Sequence, residues 1–109
     1  QVDIQYRSAR FTTRIFSVQV TYASLLHPQL SVRIQAFVPG RAEVVGEAAD
    51  CEARDPHTGL VMLSAAQRVH VPIALDPDFR GDAVEVRVTD ATTPGRVYAR
   101  RVLRNAILE

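Results

Sequence analysis

No lysine occurs among the 109 residues; all 13 basic residues are arginine. A Walker-type phosphate loop, a Schiff base and a lysine nucleophile are therefore excluded. So is the Lys–Asn isopeptide cross-link of some pilin and adhesin domains. Tryptophan is missing, and Cys51 is the single cysteine. No disulfide can form within the chain, and the Cys…Trp…Cys core of antibody domains is absent. The formal net charge is +1, too weak a global field to draw the chain to nucleic acid or a membrane surface. No apolar run approaches the roughly 18 residues of a membrane-spanning helix. No window carries a convincing 3.6-residue period.

What the sequence has instead is alternation. Phe16, Val18, Val20 and Tyr22 share one parity, and Leu30, Val32, Ile34, Ala36 and Val38 share one in the next run. Strand side chains point to opposite faces in turn, so each run has one apolar and one mostly polar face. The short break Leu26-His27-Pro28-Gln29 between them predicts two antiparallel neighbours, the organising pair of the domain. Residues 2–6 read as a first strand, with Arg7-Ser8-Ala9-Arg10 leading out and Thr12 and Thr13 preceding the second. Val38-Pro39-Gly40-Arg41 is a turn. Residues 43–54 read as a strand with a bulge or kink at Gly46, whose presence argues against a helix.

Asp55-Pro56-His57-Thr58-Gly59 is the clearest turn, and residues 60–63 a short buried strand. In residues 68–75 the in-phase set is Val69, Val71, Ile73 and Leu75. Pro72 lies on the other parity and cannot donate to a ladder, which marks an edge strand or a break. Residues 76–82 form a loop, and 83–89 a strand with Val84, Val86 and Val88 inward. Residues 90–95 form a hairpin turn around Pro94. Residues 96–104 return with their phase disturbed at Arg100-Arg101, and Ile107 and Leu108 of the tail pack on the core. A chain of this length is a single domain, 1–109. Seven to eight short strands at regular spacing predict an all-β, two-sheet antiparallel β-sandwich, immunoglobulin-like or fibronectin-III-like. A jelly roll or transthyretin-like sandwich is the alternative.

Chemistry is sparse. Arg80-Gly81-Asp82 is the integrin-recognition tripeptide on a loop, a short pattern that an arginine-rich chain also produces by chance. Asp76, Asp78 and Asp82 crowd the same loop and are candidates for Ca²⁺ ligation, since carboxylates two apart can share a hard cation. Pro77 and the lack of a second acidic loop favour the plainer role of aspartate as a turn former. His27, His57 and His70 have no metal-ligand spacing. Neither Ser17 nor Ser64 sits in a nucleophile elbow.

Charge is uneven. Glu43, Glu47, Asp50, Glu52 and Asp55 face only Arg54 within their segment, whereas Arg96, Arg100, Arg101 and Arg104 have no acid among them. If these strands are opposite edges, one copy's acidic edge can meet another's basic edge; if they are neighbours, the charges pair internally. The basic strand offers only Tyr98 for stacking, which weakens a nucleic-acid role. Phe37 shares the polar parity with Arg33 and Gln35, and an aromatic on an open sheet face marks a contact surface. Phe11, Phe79, Tyr6 and Tyr98 are the other aromatics off the core parity.

The expectation is a non-catalytic structural or protein-interaction module of an extracellular, cell-envelope or virion assembly. Its partners are proteins, including copies of itself through sheet edges. No cofactor, nucleic acid or membrane insertion is expected. The interaction residues are Arg33, Gln35, Phe37, Arg80, Gly81, Asp82, Arg96, Arg100, Arg101 and Arg104. A small-ligand or carbohydrate-binding accessory module, working through Arg33 and Phe37, is the alternative.

Overall fold

Alternating apolar residues produce eight strands in the computed structural model, which describes residues 1–6, 14–93 and 95–104. They are β1 (Val2–Gln5), β2 (Ile15–Tyr22), β3 (Gln29–Phe37), β4 (Val44–Ala48), β5 (Val61–Ser64), β6 (Arg68–Leu75), β7 (Ala83–Asp90) and β8 (Val97–Arg104). All pairings are antiparallel, and no helix occurs among the described residues. The expectations placed on residues 7–13, on Pro94 and on Ile107 and Leu108 lie outside the described residues.

The strand order is β1-β2-β6-β4-β3-β7-β8, with β5 also paired to β3. This is one continuous, nearly closed barrel-like sheet, where two separate sheets were expected. The link is β4: Gly46, Glu47 and Ala48 pair with β6, while Val44, Gly46 and Glu47 pair with β3. The expected β2–β3 hairpin does not form. β2 pairs with β1 and β6, and β3 with β4, β5 and β7. The segment between them is a crossing rather than a tight turn. It is pinned where the Tyr22 hydroxyl donates to the His27 carbonyl at 2.9 Å and the Ser24 hydroxyl accepts from the His27 amide at 3.0 Å.

The parity assignments hold although that pairing does not. Phe16, Val18, Val20, Tyr22, Val32, Ile34 and Ala36 are buried, joined by Val61, Leu63, Val71, Ile73, Val84, Val86, Val88 and Leu103. Each fully buried side chain of this size contributes roughly 1.5–3 kcal/mol.

Two irregularities are specific. The β3–β4 register shifts between Ala36 and Phe37, leaving Val45 as the extra residue beside Gly46. A Cβ on Gly46 would meet the Ala74 carbonyl oxygen at 2.9 Å, so three strands converge where only glycine fits. The β7–β8 register shifts between Val88 and Thr89, with Tyr98 as the extra residue. β6 lies between β2 and β4 and runs unbroken from Arg68 to Leu75, so neither the edge strand nor the strand break expected from Pro72 is found at that residue. Pro72 lies just past the last β4–β6 pair, Ala48 with Ile73, and its carbonyl accepts from the Ala49 amide. With no amide proton to return that bond, Pro72 ends the β4–β6 ladder, while it still stands opposite Ser17 in the β2–β6 ladder.

Candidate functional site: the outer face of β3, β7 and β8

Register sets the outer face out in rows. Val44, Phe37, Glu85 and Val102 lie side by side across β4, β3, β7 and β8. The next row is Glu47, Gln35, Arg87 and Arg100, and beyond it Arg33 stands opposite Thr89. Directly opposed residues in an antiparallel pair share a face, so these side chains are neighbours.

The middle of this face is closed. The β3–β4 turn folds over β7, so that the Gly40 amide donates to Glu85 Oε1 at 2.9 Å and the Arg41 carbonyl accepts from Arg87 Nη2 at 2.6 Å. Arg87 Nη2 also reaches Glu85 Oε1 at 2.8 Å, and its guanidinium lies 4.0 Å from the centre of the Phe37 ring. Glu85 is 4% exposed and Phe37 8%. The Arg87 hydrogen bond, with help from the Gly40 amide and the charges of Arg87 and Arg100, holds the Glu85 carboxyl below the usual range against the opposing effect of burial. Phe37 was expected to mark an open contact surface. It is instead a covered ring, because the outward parity of β3 is roofed by Arg87. Gln35 is engaged by Glu47 at 3.1 Å.

The rim of the face stays open. Arg100 is 3.8 Å from Glu85 Oε2 with 61% of its side chain exposed. Val102 is 43% exposed, and Arg104 is exposed, its guanidinium without a hydrogen bond or ion pair among the described residues. Arg101 sits on the opposite parity, which explains the disturbed phase read in the sequence. Its guanidinium crosses the gap between the two ends of the sheet, donating to the Ile4 carbonyl at 2.8 Å and lying 5.1 Å from the centre of the Tyr6 ring. Arg96 lies over the Tyr98 ring at 5.2 Å and 3.9 Å from Asp90. The Thr92 amide, most of all, holds the Asp90 carboxyl low, whereas burial raises the Tyr98 phenol.

The premise of opposite acidic and basic edges is not met. β8 ends the strand order, but β4 lies inside it, flanked by β3 and β6. The two are not neighbours either, since β3 and β7 separate them. The acids beyond β4 lie on the connection to β5, where Asp50 pairs with Arg54 at 2.8 Å.

The β6–β7 loop is compact. Arg80 folds back to donate to the carbonyls of Pro77 at 2.8 Å and Phe79 at 3.0 Å, and a Cβ on Gly81 would strike the Phe79 ring. The tripeptide thus has its arginine turned onto its own loop. Asp76, Asp78 and Asp82 are all exposed. Among the described residues no group of three His, Cys, Asp or Glu is placed to hold a metal ion. No helix of the described residues is long and apolar enough to cross a membrane.

Glu85 and Arg87 were missed as partners of Phe37. Their signal was available: opposite charges two apart, on the polar parity of an otherwise valine-rich strand. In the sequence Arg54 stands out only as the lone base in an acidic segment. Compared with protein-family models, curated proteins and solved structures, the chain matches none.

Proposed function

We propose that the chain is a non-catalytic structural or protein-interaction module of an extracellular, cell-envelope or virion assembly, and that it binds an acidic, extended segment of a protein partner. The observation that carries this is the outer strip of β8, where Arg100, Val102 and Arg104 alternate on one exposed face. Two guanidinium groups around an exposed aliphatic side chain suit carboxylates flanking an apolar residue. The same arginines oppose pairing of β8 with β8 of a second copy, because like charges would face each other. In contacts between copies, the acidic connection carrying Asp50, Glu52 and Asp55 supplies the complementary charge. The carbohydrate reading loses support, since the ring it relied on, Phe37, is covered.

For the fold type, we infer an immunoglobulin-like or fibronectin-III-like arrangement. Its support is adjacency of the first, second and sixth strands on one side and of the third, seventh and eighth on the other, the order in which such sandwiches are wound. The departure is β4, which pairs with both halves.

The test combines light scattering across protein and salt concentration with fluorescence anisotropy of a labelled peptide of alternating glutamate and valine. Salt-sensitive binding of the peptide, or salt-sensitive self-association, abolished by Arg100→Glu with Arg104→Glu, is the expected result. Binding indifferent to both salt and charge reversal, or no binding of either kind, overturns the proposal.

A further inference from the structure

The β4 side of β3 is shared by two short strands. β5 pairs with Gln29–Val32 in register, and β4 with Gln35, Ala36 and Phe37. Arg33 and Ile34 therefore fall in a notch between the end of one ladder and the start of the other. The chain on this flank is the β4–β5 connection, which returns through a bridge between Arg54 and Val61. Its turn is closed by the Gly59 amide donating to the Asp55 carbonyl at 2.8 Å and the Asp55 amide donating to the Leu60 carbonyl at 2.8 Å.

Two guanidinium groups approach the same point beside this turn. A Cβ built on Gly59 would lie 3.7 Å from Arg54 Nη2 and 4.0 Å from Arg33 Nη1. Gly59 has φ +74°, so it has both the backbone freedom and the bare surface that leave the spot open. Arg33 has no hydrogen bond or ion pair from its guanidinium among the described residues. Arg54 is satisfied on one side only: Nη1 holds Asp50, whose side chain is 94% exposed, while Nε is buried without a partner. Like charges brought together without a shared counter-ion repel each other, and an anion lying between them removes that repulsion while accepting from both forks.

We propose that Arg33 and Arg54 form a carboxylate-binding site above Gly59, taking a small organic acid or the side chain of an acidic peptide. One carboxylate oxygen accepts from Arg33 Nη1 and the other from Arg54 Nη2. The site is separate from the β8 strip and does not depend on it.

The experiment follows the arginine Nε–Hε signals and the Gly59 amide by NMR, at fixed ionic strength. The titrants are sodium succinate and, separately, triglutamate. Saturable shifts at Arg33, Arg54 and Gly59 are expected. Arg33→Gln should weaken them by about tenfold or more, as loss of a charge-assisted hydrogen bond implies. Arg33→Lys should also weaken them, because a point charge cannot reproduce the planar fork. Arg68→Gln, at an exposed arginine that opens β6, should leave them unchanged. Saturation by succinate assigns the site to small acids, and saturation by triglutamate alone assigns it to a peptide partner; either supports the proposal. Shifts that rise without saturating, or that appear alike on all arginines or survive in Arg33→Gln, overturn it. The wild-type titration decides the matter even where a variant fails to fold.

Discussion

The Arg87 guanidinium lies over Phe37, 4.0 Å from the ring centre, and roofs an aromatic side chain that sits outside the main core. The same guanidinium neutralises Glu85, so three side chains of the outer face depend on one another. Arg87→Ala should destabilise the fold by about 2–4 kcal/mol, since it strands a buried carboxylate as well as uncovering a ring. Glu85→Gln in the Arg87→Ala background should recover part of that loss. Urea unfolding of the two single variants and the double variant measures the coupling.

Glu85 also makes stability depend on pH in a definite direction. Its carboxyl titrates below the unfolded value of 4.5. A lowered folded-state pKa favours the native state above the unfolded pKa, and that contribution disappears as pH falls through the folded one. Unfolding free energy measured from neutral pH downwards should therefore be flat until about pH 4.5 and decline below it. Glu85→Gln should flatten the decline, leaving a smaller acid slope to which Asp90, also lowered, contributes.

Gly46→Ala tests the convergence of β3, β4 and β6. The added methyl would lie 2.9 Å from a backbone oxygen, 3.1 Å from Leu75 Cδ2 and 3.3 Å from Ala36 Cβ. The oxygen belongs to a paired strand and cannot move aside cheaply, so a loss of about 1–3 kcal/mol is expected. A fall in the urea midpoint with an unchanged slope would show that the change lies in stability alone.

Arg101→Gln should act locally. It removes the side-chain donor to Ile4 and the cation over Tyr6, at a cost of about 1 kcal/mol. Hydrogen exchange should quicken along β1 and the facing edge of β8 while the β3–β7 ladder keeps its protection. Uniformly faster exchange would mean that Arg101 matters to the whole fold and not to the gap it spans.

Strand identity and facing were legible because alternation is a local property. Ile15–Tyr22 and Arg68–Leu75 form where the in-phase valines place them. Pairing was not legible. Nothing in Leu26-His27-Pro28-Gln29 distinguishes a hairpin from a crossing, because the choice depends on which strands bury which faces. The expected strand over residues 43–54 stops at Ala48: the Ala49 amide still bonds to the Pro72 carbonyl, but proline has no N–H to return the bond, and the chain then turns at Cys51–Arg54. At the candidate sites, parity placed Arg33, Gln35 and Phe37 on one face correctly. Whether that face is open depended on a turn folding over β7, whose contacts span more than forty residues. The meeting of Arg33 and Arg54 likewise needs the notch in the β3 ladder, which no local pattern announces.

The double pairing of β4 has a consequence for how the molecule comes apart. In a sandwich, two sheets held by side-chain contacts can slide or part as separate layers. Here Gly46 and Glu47 pair with β3 on one side and β6 on the other, so neither half can leave without tearing a backbone ladder. The five residues of β4 thereby bind both halves into one cooperative unit, and the chain should lose its structure in a single step.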